Sequence, residues 1–194
     1  MSALPHDVRT AEEYLAFERA SQEKHEFVGD QVYLMTGASR RHNLIVVNIV
    51  MALGGQLRGK PCEMYANDMR VRVGRDFFYP DVSVVCGEPQ FAGEEFDTLL
   101  NAALIIEVLS PSTEQYDRGR KFEKYRALDS LREYVLVAQD RPQIERYIRQ
   151  DDGWLLTEAA GLDSALELVT AGARLPLAEI YDRLRFDDGA ADHD

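Results

Sequence analysis

Cysteine is scarce in this chain: Cys62 and Cys86 are the only two in 194 residues. Neither stands in a Cys-x-x-Cys or Cys/His spacing, which removes cysteine-based metal binding from the candidates and leaves both expected as reduced, buried small hydrophobes. Long apolar runs are also missing. None approaches the roughly 18 residues of a membrane span, and the first twenty residues carry charges throughout, with no apolar stretch of signal-peptide length. The expected location is the cytoplasm, with no membrane partner. Positive charge is in short supply as well: 22 Lys and Arg face 34 Asp and Glu, a net charge of −12. That balance counts against tight non-specific binding to nucleic acid, which needs a basic footprint. Neither an internal repeat nor a low-complexity linker interrupts the chain.

What is present supports a single domain over residues 1–186, large enough to bury a core without disulfides, followed by an acidic tail at 187–194 expected to be disordered. The basic residues that do occur are clustered: Arg40 and Arg41, then Arg70, Arg72 and Arg75, then Arg118, Arg120, Lys121, Lys124 and Arg126. Thr10 and Glu13 in "TAEEYLAFERA" form a capping-box signature and predict a short helix. "HEFVGDQVYLM" alternates around Gly29-Asp30 and predicts a hairpin. Leu44, Ile45, Asn48, Ile49 and Leu53 recur at helical spacing and predict a long helix from Ser39 to about Leu57, stopped by Gly59 and Pro61. Strands are predicted at "MRVRV", at "FFYPDVSVVC" as one unit, and at "ALIIEVLS", "REYVLVAQ" and "PQIERYIRQ"; weaker ones follow at "GWLLTEAA" and "ALELV". A helix is predicted from about Glu114 to Leu128, and a last helical turn at "PLAEIYDRL". This order implies a mixed α/β (α+β) fold with a central mixed sheet flanked by helices. A strand such as "PQIERYIRQ" is a candidate dimer edge, so a homodimer is an open expectation.

Glu107 is the residue that asks for a function. Within "ALIIEVLS" it shares a strand face with Ile105 and Leu109, where an isolated carboxylate loses several kcal/mol of hydration unless something compensates it. Asp81 begins "PDVSVV", and if the two strands are neighbours both carboxylates meet at one point. The helix "YDRGRKFEKYRAL" presents Asp117, Lys121, Lys124 and Tyr125 near one face. Oxygen ligands on a rigid sheet suit Mg²⁺ or Mn²⁺, and a lysine from the next helix would orient a water or balance charge on a phosphate. The competing reading is a structural ion pair of Glu107 with Arg72 or Lys121, with the basic helix a solvated face. Ser110 and Ser112 lack a Gly-x-Ser-x-Gly elbow and read as turn and capping residues rather than nucleophiles. Tyr125 and Tyr134 read as packing residues.

Taken together, "HEFVGDQVYLMTGASRRHNLIVVNI", "YPDVSVV", "ALIIEVLSPST", "YDRGRKFEKY" and "LREYVLV" resemble the Uma-type family of restriction-endonuclease-like proteins, within the PD-(D/E)XK nuclease superfamily, over about Glu26 to Tyr147. The resemblance implies a restriction-endonuclease-like core and a Mg²⁺-dependent endonuclease that hydrolyses phosphodiester bonds, with DNA the suspected substrate. It also implies Asp81 and Glu107 as catalytic metal ligands. The lysine expected two residues after Glu107 is replaced by Leu109, so that role passes to Lys121, with Lys124 next in line. Glu26 and His42 are secondary candidates on the same grounds. The alternative is a nuclease-fold protein that no longer cleaves and serves as a binding or assembly module. The placement of Arg70, Arg72, Arg118 and Arg120 separates the two: around the carboxylates they favour a nucleic-acid substrate, and turned away they do not.

Overall fold

A computed structural model describes residues 3–4, 8 and 10–186; the acidic tail at 187–194 lies outside the described residues. The elements run β1 (Ala3–Leu4), α1 (Ala11–Ala20), β2 (His25–Phe27), β3 (Val32–Leu34), α2 (Arg40–Leu57), β4 (Cys62–Ala66), β5 (Arg70–Val73), β6 (Asp76–Phe78), β7 (Val82–Cys86), β8 (Thr98–Leu99) and β9 (Leu104–Val108). A continuous helical segment over 114–125, α3, leads to β10 (Glu133–Val137), β11 (Gln143–Gln150), β12 (Gly153–Ala160), β13 (Ala165–Leu168), β14 (Ala173–Pro176) and a helical turn, Leu177–Ile180. One six-stranded sheet has the order β1-β3-β2-β6-β5-β8, the other β12-β11-β10-β9-β7-β4, and β13-β14 form a separate hairpin. The fold is mixed α+β.

The second sheet carries the core. β9 and β10 are parallel and every residue in both is buried, as strands covered on both faces must be. Period-two alternation divides β9 between two apolar layers. Leu104, Ile106 and Val108 pack with Ile45, Ile49 and Leu53 of α2. Ile105 and Leu109 pack on the opposite side with Phe122, Tyr125 and Tyr134. That opposite face is closed by α3 and also by the first sheet, through Val28, Val71, Phe78 and Leu99. Parallel neighbours need a crossover, and α3 supplies it between β9 and β10.

Local chemistry explains the starts and stops. Thr10 Oγ1 accepts from the Glu13 N–H while Glu13 Oε2 accepts from the Thr10 N–H, the reciprocal cap that begins α1. Ser39 caps α2 by accepting from the His42 N–H. Gly29 and Asp30 both adopt left-handed φ, 60° and 61°, as a two-residue type I′ hairpin turn requires. A Cβ at Gly29 would stand 2.8 Å from Arg120 Nη2, the tip of a flexible side chain that can move aside, so the positive φ is what calls for glycine there.

Three expectations change. The stretch "FFYPDVSVVC" is not one strand. Pro80, which lacks an N–H, falls between β6 in the first sheet and β7 in the second, so the chain changes sheets at Pro80-Asp81. The strand Gln143–Gln150 is no edge: it pairs with β10 on one side and β12 on the other, and the free edge falls to β12. The cysteines are not reduced. Cys62 and Cys86 are direct cross-strand partners of β4 and β7, with Cα atoms 4.0 Å apart, and form a disulfide. Their pairing depends on a register between distant segments, which cysteine spacing alone does not reveal. Reduction is expected to lower stability by about 3 kcal/mol, the loop-closure scale for a separation of 24 residues. Urea midpoints with and without reductant measure it, and equal midpoints would mean the bridge contributes nothing. Among the described residues, no helix is long and apolar enough to cross a membrane.

Candidate active site

The antiparallel register Val82↔Ile106 and Ser83↔Ile105 places Asp81, one residue ahead of β7, level with Glu107. The Val108 N–H donates to Asp81 Oδ2 at 2.7 Å, and His42 Nε2 lies 3.2 Å from the same oxygen. Asp81 is held from another side too, since its carbonyl accepts from the Asn67 N–H at 3.0 Å. His42 reaches it from the first turn of α2, and its Nδ1 is buried without a hydrogen-bond partner among the described residues.

Lys121 is the centre of the cluster. Its Nζ lies 2.8 Å from Glu107 Oε1, 3.1 Å from Glu26 Oε1 and 3.8 Å from Asp117 Oδ1. Glu107 comes from the second sheet, Glu26 from β2 of the first, and Asp117 and Lys121 from α3. Residues 117–121 form a π turn. A π turn has more residues per turn than an α-helix, so side chains four apart come closer to one line. The i,i+4 pair Asp117 and Lys121 therefore aims at the strand together. Further donors complete the shell: the Tyr125 hydroxyl donates to Glu107 Oε1 at 3.2 Å and the Tyr79 N–H to Glu26 Oε1 at 3.1 Å. The Tyr79 hydroxyl is anchored in turn on Glu18 Oε1 at 2.9 Å. Lys124 stands apart from this group, with Nζ 2.8 Å from Asp76 Oδ2, where it ties α3 to the first sheet.

Charge in this cluster is out of balance. Burial pushes the Glu107 carboxyl well above its ordinary range; Lys121 pulls it back, while Asp117 and Asp81 push it further up. Asp117 is raised for the same reason, burial first, against the opposing pull of Lys121 and a Thr113 hydrogen bond. For Lys121, burial acts downward, but Glu107, Glu26 and Asp117 outweigh it and hold the ammonium well above the ordinary lysine value. One ammonium thus faces more carboxylate than it neutralises.

A cavity of about 740 Å³ opens onto this group. Its charged lining comprises six carboxylates (Glu23, Glu26, Asp68, Asp81, Glu107 and Asp117), the lysines Lys24 and Lys121, and His42. None of Arg70, Arg72, Arg118 and Arg120 lines it. Arg70 pairs with Asp97, Arg72 donates to the Gly74 carbonyl, and Arg118 pairs with Glu114 and Glu145. Among the described residues, no three His, Cys, Asp or Glu side chains form a ready-made metal cage. The donor set nevertheless fits Mg²⁺ or Mn²⁺. Such ions bind through one or two carboxylates, completing their shell with water and substrate phosphate, and this site has unneutralised carboxylates to offer.

Sequence reasoning put Asp81, Glu107, Lys121, Glu26 and His42 forward, and all five line this cavity. It placed Asp117 on the same helix face as Lys121 without giving it a part in the site, and it left out Tyr79, whose role depends on the sheet change at Pro80. Tyr125, expected only to pack, also donates to Glu107.

The Uma2 family model, described as "Putative restriction endonuclease", matches residues 11–178. The chain belongs to that family. Two proteins of Synechocystis sp. (strain ATCC 27184 / PCC 6803 / Kazusa), both described as uncharacterized, are similar to this Uma2 member across most of their length. The protein slr1290 is 37% identical over 178 residues, covering 90% of this chain and 92% of its own. The protein sll1609 is 36% identical over 163 residues, covering 82% and 92%. A crystal structure described as a putative nuclease belonging to DUF820, from Anabaena variabilis ATCC 29413, superposes with a TM-score of 0.71 at 16% identity. It covers 88% of this chain and 96% of that one, a likeness that shows the fold.

Proposed function

We propose that this Uma2 protein is a Mg²⁺-dependent endonuclease that hydrolyses phosphodiester bonds in DNA. The observation that carries the reading is the convergence of Lys121 Nζ on Glu107 Oε1 at 2.8 Å, beside an Asp81 held level with Glu107 by strand register. Leu109 occupies the usual lysine position, and Lys121 brings an ammonium to the same carboxylate from α3 instead. Asp81 and Glu107 would hold the ion. When bound, it would polarise the phosphate and lower the pKa of a water ligand. The chain's own groups do the rest. The Val108 N–H and His42 fix the Asp81 carboxylate, Tyr125 fixes Glu107, and Lys121 orients the attacking water or balances charge on the phosphoryl oxygens.

The second reading, a nuclease-fold binding module without cleavage, is favoured by one observation: the arginine clusters do not line the cavity and carboxylates do. Calorimetric titration with Mn²⁺ separates the two. The wild type is expected to bind, and Asp81→Asn and Glu107→Gln to lose that binding together with Mn²⁺-supported cleavage of labelled DNA. A wild type that binds no Mn²⁺ would make Glu107 a structural partner of Lys121 and Tyr125, and the module reading would prevail.

A further inference from the structure

We infer that the site takes DNA as an unpaired strand, not as an intact duplex; the inference rests on the phosphodiesterase reading above. Depth is the first argument. Glu107 and Asp117 are each 4% exposed and Lys121 5%, while the Asp81 side chain is 18% exposed, so the charged centre lies on the floor of a cleft that is entered from the Asp81 side. A scissile phosphate has to reach an ion on that floor at inner-sphere distance, about 2.0–2.1 Å for Mg²⁺. The opening above it, about 740 Å³, falls within the range of roughly 300–1,000 Å³ typical of pockets that enclose a small molecule. A few nucleotides of a flexible strand fit such a space. A duplex, with its stacked bases and two stiff backbones, does not bend into it without being opened.

Charge supplies the second argument. A duplex-binding surface typically neutralises about 6–10 phosphates. Here the lining provides only two lysines, Lys24, in an exposed pair with Asp68, and Lys121, held on Glu107 and Glu26. The lining cannot grip a long backbone, so recognition must use contacts of another kind.

The third argument is the uncharged part of the lining. Asn43, Asn67, Ser112 and Thr113 line the cavity. The Asn43 amide donates to the Ala38 and Ser39 carbonyls, and the Ser112 and Thr113 hydroxyls meet Ser110 Oγ. Of the four, that leaves the Asn67 amide as the neutral group with no such bond among the described residues. Asn67 adopts a left-handed φ of 59°, which asparagine takes readily, with its N–H on the Asp81 carbonyl. Neutral donors and acceptors suit the Watson–Crick base edges, which pairing hides in a duplex and an unpaired strand exposes.

The test uses one fluorescent DNA of about 30 nucleotides, offered to the full-length protein with Mn²⁺ as a single strand, as a blunt duplex, and as a duplex with a central unpaired bubble. The expected result is cleavage of the single strand at least about tenfold faster than the duplex, with the bubble cut only in its unpaired segment. The salt dependence on the single strand is expected to be shallow, a log–log slope no steeper than about −2, because few phosphates are contacted. Equal or faster cutting of the blunt duplex would overturn the inference and leave the phosphodiesterase reading standing. Failure to cut any of the three would overturn both.

Discussion

Replacing Lys121 by methionine is expected to destabilise the protein by about 3–5 kcal/mol at pH 8 and to abolish cleavage. The magnitude follows from what is left behind. Removing one partner of a buried ion pair leaves an uncompensated charge, and that penalty exceeds the net value of the pair. Here the loss is shared, since Lys121 serves Glu107 and Glu26 at hydrogen-bond distance and Asp117 at 3.8 Å. Methionine has a similar shape, so packing is largely kept and charge is what changes. The same reasoning fixes the pH dependence of the deficit. Stranded carboxylates can shed their charge by taking up protons, which becomes easy as the solution turns acidic. The gap in Tm between Lys121→Met and wild type should therefore narrow from pH 8 to pH 5. A gap that stays constant would mean the variant suffers from packing alone.

Glu107→Gln is expected to separate stability from function. The raised folded-state pKa values of Glu107 and Asp117 have a definite sign in linkage. A carboxyl that holds its proton more tightly folded than unfolded contributes stability below its unfolded value, about 4. That contribution is lost as pH rises toward the folded value. The wild type should accordingly lose metal-free stability between pH 4 and neutrality on account of this cluster. Glutamine removes one of the repelling charges and still accepts from Lys121 and Tyr125, so the variant should lose less over the same interval. A divalent cation acts the other way, favouring ionised ligands and releasing their protons. For the wild type, the rise in Tm on adding Mn²⁺ should be larger at pH 8 than at pH 5.5. For Glu107→Gln it should vanish, with cleavage down by about a thousandfold or more. A Glu107→Gln protein that keeps the Mn²⁺-dependent rise in Tm would remove Glu107 from the metal site.

Much of this arrangement is legible in the sequence where the cause is local. Thr10 with Glu13 announces a cap and Gly29 with Asp30 a turn through side chains only a few residues apart, and the helical repeat after Ser39 announces a long helix; each occurs where expected. The meeting of Asp81 and Glu107 was legible under one assumption, adjacency of their strands, and the register supplies it. What escaped depends on distant segments. The apolar character of "FFYPDVSVVC" hides its division between two sheets, because each half is buried and only Pro80 marks the break. The disulfide needs β4 against β7, and the burial of Gln143–Gln150 in the sheet's interior needs β12 folded back upon it. Tyr125 looked like a packing residue because its ring does pack, against Phe78 and Tyr134; its hydroxyl carries the second role.

The crossover from β9 through α3 to β10 has a bearing on inheritance. The single contiguous stretch 104–137 carries Glu107, Asp117, Lys121, Tyr125 and Tyr134. Acid and ammonium therefore lie on one piece of chain, so a duplication or recombination event that moves it carries both together. Asp81, Glu26 and His42 lie outside that stretch and must be supplied by whatever scaffold receives it.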